Sequence, residues 1–216
     1  MSKYGRDVLS RALDVTDYEQ VAALAQTVKN WKGRIDVLIN NAGGGLGLTP
    51  TNLFQRDPQH IQQLVNTNLV GTLFSCKAFG SIMVDQGHGK IINVASGFGL
   101  RGGRDIYMYC CSKGGMIQLT RTLSFNLARH GVTANSIVPG YVPTGNSGAT
   151  SESLPRSGDF LPIGKLGKPE DFGPLAVFLA SSASDYMTGE MIIADGGGLA
   201  GGVTPTGHAP LIPMEL

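Results

Sequence analysis

The chain has 216 residues and carries 17 Lys or Arg against 16 Asp or Glu, so its formal net charge at pH 7 is +1. This length suits one domain with a full hydrophobic core, and the near-zero charge excludes the basic surface that a nucleic acid or an anionic membrane would attract. Its 31 glycines are about twice the usual share of ~7%, which indicates many tight turns.

The helix signals follow in chain order. Segment 16–31 begins with TDYE, a capping-box pattern with its Thr as the N-cap, and apolar residues at helical spacing continue to Trp31, which we expect in the core. Asp-Pro opens a second helix over 57–86. A third helix over 106–129 ends at a basic turn and a glycine, and a shorter one covers about 169–181.

Apolar runs between these helices predict strands. Their faces do not alternate, so both sides of each strand should be covered, as in a parallel α/β sheet. The predicted strands are Asp36–Asn40, Lys90–Ala95, Val132–Val138 and Glu190–Asp195. We expect one domain over 1–197 and a Gly/Pro-rich tail over 198–216, with a mobile loop at 145–158.

One group of residues points to chemistry. Tyr109 and Lys113 are four positions apart, so they share a helix face, and a lysine ammonium beside a phenol lowers the pKa of the phenol. Ser96 ends one predicted strand, and the NNAG segment 40–43 ends another. Because open α/β sheets bind ligands at the carboxyl ends of their strands, this edge is the candidate site.

In this order and spacing, the motifs resemble those of the short-chain dehydrogenase/reductase family over residues 14–197. The motifs are Asp14-Val15 before a helix, NNAG at 40–43, Asn68 in TNLVG, Ser96 in NVAS, YCCSK at 109–113, NSIVPGYVPT at 135–144 and TGEMIIADGG at 188–197. The resemblance implies a three-layer, Rossmann-like α/β fold and an enzyme that interconverts an alcohol and a carbonyl with NAD or NADP.

The resemblance also assigns a catalytic role to four residues. Tyr109 would be the acid/base, and Lys113 would tune it while binding the nicotinamide ribose. Ser96 would polarise the substrate oxygen, and Asn68 would hold a water in a proton relay.

Further residues would bind the cofactor. These are Asp14 and Val15 at the adenine, Asn41, Ala42 and Gly43 at the adenosine ribose, Pro139, Gly140, Tyr141 and Val142 at the nicotinamide, and Thr144 near its carboxamide. No residues with metal-ligand spacing are found among the four histidines and three cysteines, so we expect no metal.

The sequence departs from the family at its start. Members open with a strand and a TGxxxGxG turn that binds the pyrophosphate, and no such element occurs here, so the domain is expected to lack the family's first two strands. The GxGxxG matches at 97–102 and 196–201 are interpreted as decoys, because neither opens a βαβ unit. The family strand order 3-2-1-4-5-6-7 then leaves segment 6–15 to pair with the strand at 36–40, to pair with another chain, or to stay irregular.

Two other functions stay open. The same four residues suffice for a cofactor-independent acid/base enzyme, such as a lyase, isomerase, dehydratase or hydrolase, and the chain is also compatible with a non-catalytic homologue. Asp14 has the alternative role of capping the helix after it. Cys110 and Cys111 are interpreted as small packing residues, which suits a reducing, cytoplasmic location. We expect a small-molecule substrate, no nucleic acid or membrane partner, no secretory leader, and a homodimer or homotetramer formed through helices 57–86 and 106–129.

Overall fold

The computed structural model describes residues 7–45, 52–144, 158 and 161–201. Its helices are α1 (Tyr18–Lys32), α2 (Pro58–Val65), α3 (Gly71–Gln86), α4 (Tyr107–Leu127) and α5 (Gly173–Ala180). Its strands are β1 (Val37–Asn40), β2 (Gly89–Val94), β3 (Val132–Pro139) and β4 (Met191–Ala194). Each predicted strand is present to within a residue or two of its predicted bounds.

The four strands form one parallel sheet in the order β1-β2-β3-β4. Neighbouring residues of β2 show that both faces are covered: Ile91 packs into the core with α1 and α3, and Ile92 packs against Leu179 of α5 on the other face. The predicted three-layer, Rossmann-like α/β fold is therefore confirmed. No helix in the described part of the chain is long and apolar enough to cross a membrane.

The predicted 57–86 helix is present but not uniform. Asp57 caps α2 by accepting from the Gln59 amide at 2.8 Å, and Pro58 takes the first helical position, as the sequence predicts. A π-helical segment, Asn66–Val70, then joins α2 to α3. π-helical segments often occur at functional sites, and this one carries Asn68.

Two predictions for α1 are wrong. The N-cap is Asp17, whose side chain accepts from the Gln20 amide at 3.1 Å, whereas the Thr16 hydroxyl donates to Asp14 at 2.7 Å. Asp14 therefore binds the turn before the helix and is not the cap either. Trp31 is 43% exposed rather than in the core, and the Lys32 ammonium lies 4.3 Å from the centre of its ring.

The ends of α4 and α5 agree with the sequence. A short 3-10 turn, Ala128–His130, follows α4, and Gly131 stops it at φ 73°. Glycine is required here, because a Cβ would lie 2.2 Å from the Gly87 carbonyl oxygen. The predicted helix at 169–181 is the 3-10 turn Pro169–Phe172 followed by α5.

The amino-terminal side of the sheet is irregular. Residues 7–17 contain no strand, so the described part of segment 6–15 does not pair with β1. Within the described ranges β1 pairs only with β2, and Ile39 on β1 is 48% exposed. The predicted loop at 145–158 lies outside the described residues except for Gly158.

Candidate active site

A row of buried polar side chains crosses the sheet near the carboxyl ends of its strands. Asn40, Asn93 and Ser136 occupy the same register row of β1, β2 and β3. Asn40 Nδ2 donates to Asn93 Oδ1 at 2.8 Å, and Asn93 Nδ2 donates to Thr120 Oγ1 of α4, also at 2.8 Å. Thr120 Oγ1 lies 2.7 Å from Ser136 Oγ, within hydrogen-bonding distance. This polar ladder holds α4 at a fixed position over the sheet.

Lys113 extends from α4 into the interior and is 5% exposed. Its ammonium donates to the carbonyl of Val94, the last residue of β2, at 2.7 Å. Burial lowers the pKa of Lys113 to about 8, because a desolvated ammonium is less stable than one in water. The ammonium lies 5.9 Å from the ring centre of Tyr109.

Tyr109 lies one helical turn before Lys113 and meets Ser96. The Ser96 side chain lies beside the Tyr109 phenol and lowers its pKa, so the two groups that the sequence pairs across thirteen residues are brought together. Ser96 is buried and accepts from the Phe98 amide at 3.2 Å, which fixes the turn after β2. The predicted lowering of the phenol pKa is wrong here: burial raises the pKa of Tyr109, and Ser96 opposes this only in part.

Asn68 is fully buried and connects three elements. Its Oδ1 accepts from the Gly44 amide and its Nδ2 donates to the Gly44 carbonyl, both at 3.0 Å. Nδ2 also lies 3.2 Å from the Ser112 hydroxyl on α4. Gly43 has φ 124°, and a Cβ there would lie 2.3 Å from Asn68 Oδ1, so only glycine lets the loop after β1 approach this amide.

The residues assigned to the adenosine side lie in the segment before α1 and in the loop after β1, and of these Gly43 contacts Asn68. Asp14 is exposed, and its carboxylate accepts from the amide and hydroxyl of Thr16, which lowers its pKa. Val15 packs on α3: a Cβ at Gly71 would lie 2.7 Å from its Cγ2. Asn41, Ala42 and Gly43 are exposed directly after β1.

The residues assigned to the nicotinamide side follow β3. Pro139 ends β3, and Gly140 lies so close to Asp195 that a Cβ on it would be 2.6 Å from the Asp195 Cα. Val142 packs near Gly167, and Thr144 is exposed. Together with Tyr109 and Lys113, these residues surround the carboxyl ends of β2 and β3.

The two GxGxxG matches do not form phosphate sites. Segment 97–102 contains a 3-10 turn, Gly97–Gly99, rather than the start of an α-helix. In segment 196–201 the amides of Gly197 and Leu199 are already bound by Asp195, at 2.9 and 2.7 Å. Among the residues that the structure describes, the nicotinamide side thus has suitable groups, and no glycine turn is present to bind a pyrophosphate.

A pocket opens beside Ser96. It is lined by Ser96, Gly97, Phe98, Arg101, Pro139, Gly140, Tyr141, Leu161, Asp195, Gly198 and Leu199. The Phe98 ring makes edge-to-face contacts with the rings of Tyr109 and Tyr141, with centroids 6.3 and 5.9 Å apart. Sequence analysis did not select Phe98, Arg101 or Asp195, whose signal is their position in the segments that follow β2 and β4.

Cys110 is partly exposed and Cys111 is exposed, so the interpretation of both as packing residues is wrong for Cys111. No cluster of His, Cys, Asp or Glu suited to a metal ion occurs in the described ranges.

The family model described as enoyl-(acyl carrier protein) reductase matches residues 1–198. A 2-dehydro-3-deoxy-D-gluconate 5-dehydrogenase of Dickeya dadantii is 36% identical over 200 residues, covering 91% of this chain and 78% of the relative. A sorbitol dehydrogenase of Cereibacter sphaeroides is also 36% identical over 200 residues, covering 86% and 77%. The crystal structure of a gluconate 5-dehydrogenase from Burkholderia cenocepacia, in complex with NADP and tartrate, matches with a TM-score of 0.81 at 31% identity, covering 88% of this chain and 74% of that one. The motifs, the parallel sheet and these matches agree, and the chain belongs to the short-chain dehydrogenase/reductase family of oxidoreductases.

Proposed function

We propose that this protein interconverts an alcohol and a carbonyl with NAD or NADP, through Asn68, Ser96, Tyr109 and Lys113. The observation that carries this proposal is the proximity of the buried Ser96 to the half-buried Tyr109 phenol, with the Lys113 ammonium 5.9 Å from the Tyr109 ring and bound to the Val94 carbonyl. A carbonyl oxygen that accepts from both hydroxyls would have its developing negative charge stabilised and its proton donor in place.

The acid/base roles follow from the pKa directions. Because burial raises the pKa of Tyr109, the phenol is protonated at neutral pH, as a proton donor to a developing alkoxide must be. In the oxidation direction the phenolate must form, and the positive charge of Lys113 stabilises it. Since the pKa of Lys113 is about 8, the ammonium is the main form at pH 7. Asn68 acts through Ser112, positioning the helix that carries both groups.

Two sets of residues would hold a nicotinamide dinucleotide, which supplies or accepts the hydride when bound. Tyr109, Lys113, Pro139, Gly140, Val142 and Thr144 would hold the nicotinamide half, and Asp14, Val15, Asn41, Ala42 and Gly43 would hold the adenosine half. The NADP complex of the Burkholderia relative supports this class of cofactor.

Calorimetric titration with NADH and NADPH tests the proposal. Saturable binding in the micromolar range, with turnover of a hydroxy or keto substrate, is the expected result. No binding at millimolar nucleotide refutes it and leaves the cofactor-independent enzyme or the non-catalytic homologue. Calorimetry is preferable to tryptophan fluorescence, because the single tryptophan, Trp31, lies on α1 outside the candidate site.

Tyr109→Phe is the diagnostic variant, and we expect it to reduce kcat at least about 100-fold, the usual contribution of a positioned acid/base. Tyr107→Phe is its matched control on the same helix. Tyr107 is 38% exposed, and its hydroxyl points to Asp105 at 3.4 Å, so its removal should leave turnover unchanged. Equal activity of Tyr109→Phe and wild type would exclude Tyr109 as the acid.

We also infer that helices α3 and α4 form the contact in a homodimer or homotetramer. Phe125 on α4 is 89% exposed and Leu73 on α3 is 42% exposed, which is unusual for large apolar side chains. Phe125→Ser should shift the oligomer toward monomer in sedimentation velocity. A wild type that sediments as a monomer at all concentrations would contradict the inference.

The names of the relatives leave the substrate open between two classes. The Dickeya enzyme is named for a sugar acid and the Cereibacter enzyme for sorbitol, a neutral polyol. Both are small molecules with several hydroxyls. Family membership alone therefore does not choose between an acidic and a neutral substrate.

A further inference from the structure

The pocket beside Ser96 has one cation and one anion among its described lining residues, Arg101 and Asp195. The Asp195 carboxylate is committed to the protein. Its Oδ1 accepts from the Gly197 amide at 2.9 Å and its Oδ2 from the Leu199 amide at 2.7 Å. No ion pair joins Asp195 to Arg101 in the described structure, so the positive charge of Arg101 is not neutralised by its neighbour.

Arg101 is held in place by its surroundings. Its guanidinium carbon lies 4.6 Å from the centre of the Phe98 ring, a cation–π contact that stabilises the group beside the pocket. Its Nη2 donates to the Tyr141 hydroxyl at 3.3 Å, and its backbone amide donates to the Gly97 carbonyl at 3.2 Å. A guanidinium has five N–H donors in a planar fork, so this bond leaves others for a ligand in the pocket.

The same contacts show where Arg101 lies relative to Ser96 and Tyr109. Ser96 lines the same pocket, and the Phe98 ring under the guanidinium also contacts the Tyr109 ring. A substrate whose reacting oxygen meets Ser96 and Tyr109 therefore extends toward Arg101 with its other end.

We propose that Arg101 binds the carboxylate of the substrate, and that this protein acts on hydroxy or keto acids rather than on neutral polyols. The proposal deepens the function proposed above and rests on it. A planar carboxylate matches the guanidinium fork, with two parallel hydrogen bonds. A phosphate dianion is disfavoured, because a single guanidinium would balance only one of its two charges.

The test compares binding of D-gluconate with binding of D-sorbitol and sorbitol 6-phosphate, by calorimetry and ligand-observed NMR, with and without NADP. Gluconate and sorbitol have the same carbon number, so they differ in the charged end. Wild type is expected to bind gluconate about 10- to 100-fold more tightly than sorbitol, the ratio for charge-assisted hydrogen bonds. Arg101→Gln should abolish that preference, and Arg101→Lys, which keeps the charge without the fork, should retain part of it.

Arg104→Gln is the matched control. Arg104 lies in the same loop with a side chain that is 96% exposed, next to Asp105, so its removal should leave the preference unchanged. Circular dichroism and the melting temperature show that each variant is folded. In turnover assays Arg101→Gln should raise KM for the acid with little change in kcat, which a merely structural role of Arg101 would not produce.

The outcomes separate the two proposals. Gluconate preference that depends on Arg101, without any nucleotide binding or turnover, supports the carboxylate site and refutes the oxidoreductase function. Turnover with equal kcat/KM for acid and polyol, in wild type and in Arg101→Gln alike, overturns the carboxylate site and keeps the function. No binding of the acid by wild type, or tighter binding of sorbitol 6-phosphate, also overturns it.

Discussion

Replacing Lys113 with methionine should stabilise the protein near neutral pH while removing its turnover. Lys113 is 5% exposed, and burial lowers its pKa from an ordinary 10.5 to about 8. A buried ammonium at pH 7 therefore costs folding free energy that a methionine of similar length does not. We therefore expect Lys113, one of the proposed catalytic residues, to destabilise the folded protein.

The size and sign of the effect follow from these pKa values. Between pH 8 and 10.5 the unfolded chain binds the proton and the folded protein does not, so the stability of the wild type rises with pH in this window. At pH 7 the cost is about 3 kcal/mol, and it falls by about 2 kcal/mol by pH 9.5. Loss of the hydrogen bond to the Val94 carbonyl subtracts about 1 kcal/mol from the gain. Lys113→Met should therefore be about 2 kcal/mol more stable than wild type at pH 7.

Urea denaturation at pH 7, 8 and 9.5 measures the difference. The advantage of Lys113→Met should shrink to nearly zero at the highest pH, because the wild type no longer carries the buried charge. Lys77→Met, at an exposed lysine of α3, is the control and should give a difference that does not vary with pH. A Lys113→Met advantage that is absent at pH 7, or constant across the range, would refute the reasoning.

Three further substitutions test other parts of the structure. Thr120→Val leaves Asn93 Nδ2 without its buried acceptor and should cost about 1–3 kcal/mol in urea denaturation, whereas a neutral result would show that the polar ladder does not hold α4. Gly43→Ala places a Cβ 2.3 Å from Asn68 Oδ1 at φ 124°, so it should cost about 1–3 kcal/mol and lower turnover; unchanged kinetics would contradict the positioning role of Asn68. Asp57→Ala removes the cap of α2 and should cost about 1 kcal/mol without changing kcat, which thermal melting and steady-state assays check together.

Local patterns were sufficient to predict most of the fold. Each strand is a short apolar run. The start of α2 is predicted by an Asp-Pro pair, because Asp favours the N-cap and Pro favours the first helical position. The start of α1 was harder, because Thr16 and Asp17 are both good caps and the choice depends on Asp14, which takes the Thr16 hydroxyl. Helical spacing likewise gives the direction in which Trp31 points but not whether another element covers it.

The candidate site was predictable in its positions but not in its electrostatics. The spacing of Tyr109 and Lys113 predicts a shared helix face, and the two do lie near each other. The spacing does not show whether the two side chains are buried, and burial raises the pKa of Tyr109 and lowers that of Lys113. The contacts of Asn93 and Thr120 depend on which strands are neighbours and in what register, which a single sequence does not specify.

The described site has two parts that depend on different elements. The proposed acid/base groups lie on α4 and in the turn after β2, and the contacts from Asn93 through Thr120 to Ser136 join β2, α4 and β3 without using the outer edge of β1. The adenosine side depends on that edge, where Ile39 is exposed and the loop before α1 carries Asp14. With the roles proposed above, the geometry at the reacting oxygen and the affinity for the nucleotide depend on different elements, except at Gly43, which contacts Asn68. A variant of Asp14 should change affinity with little effect on kcat, and a variant of Ser96 should do the reverse, because Ser96, unlike Asp14, lies beside the Tyr109 phenol.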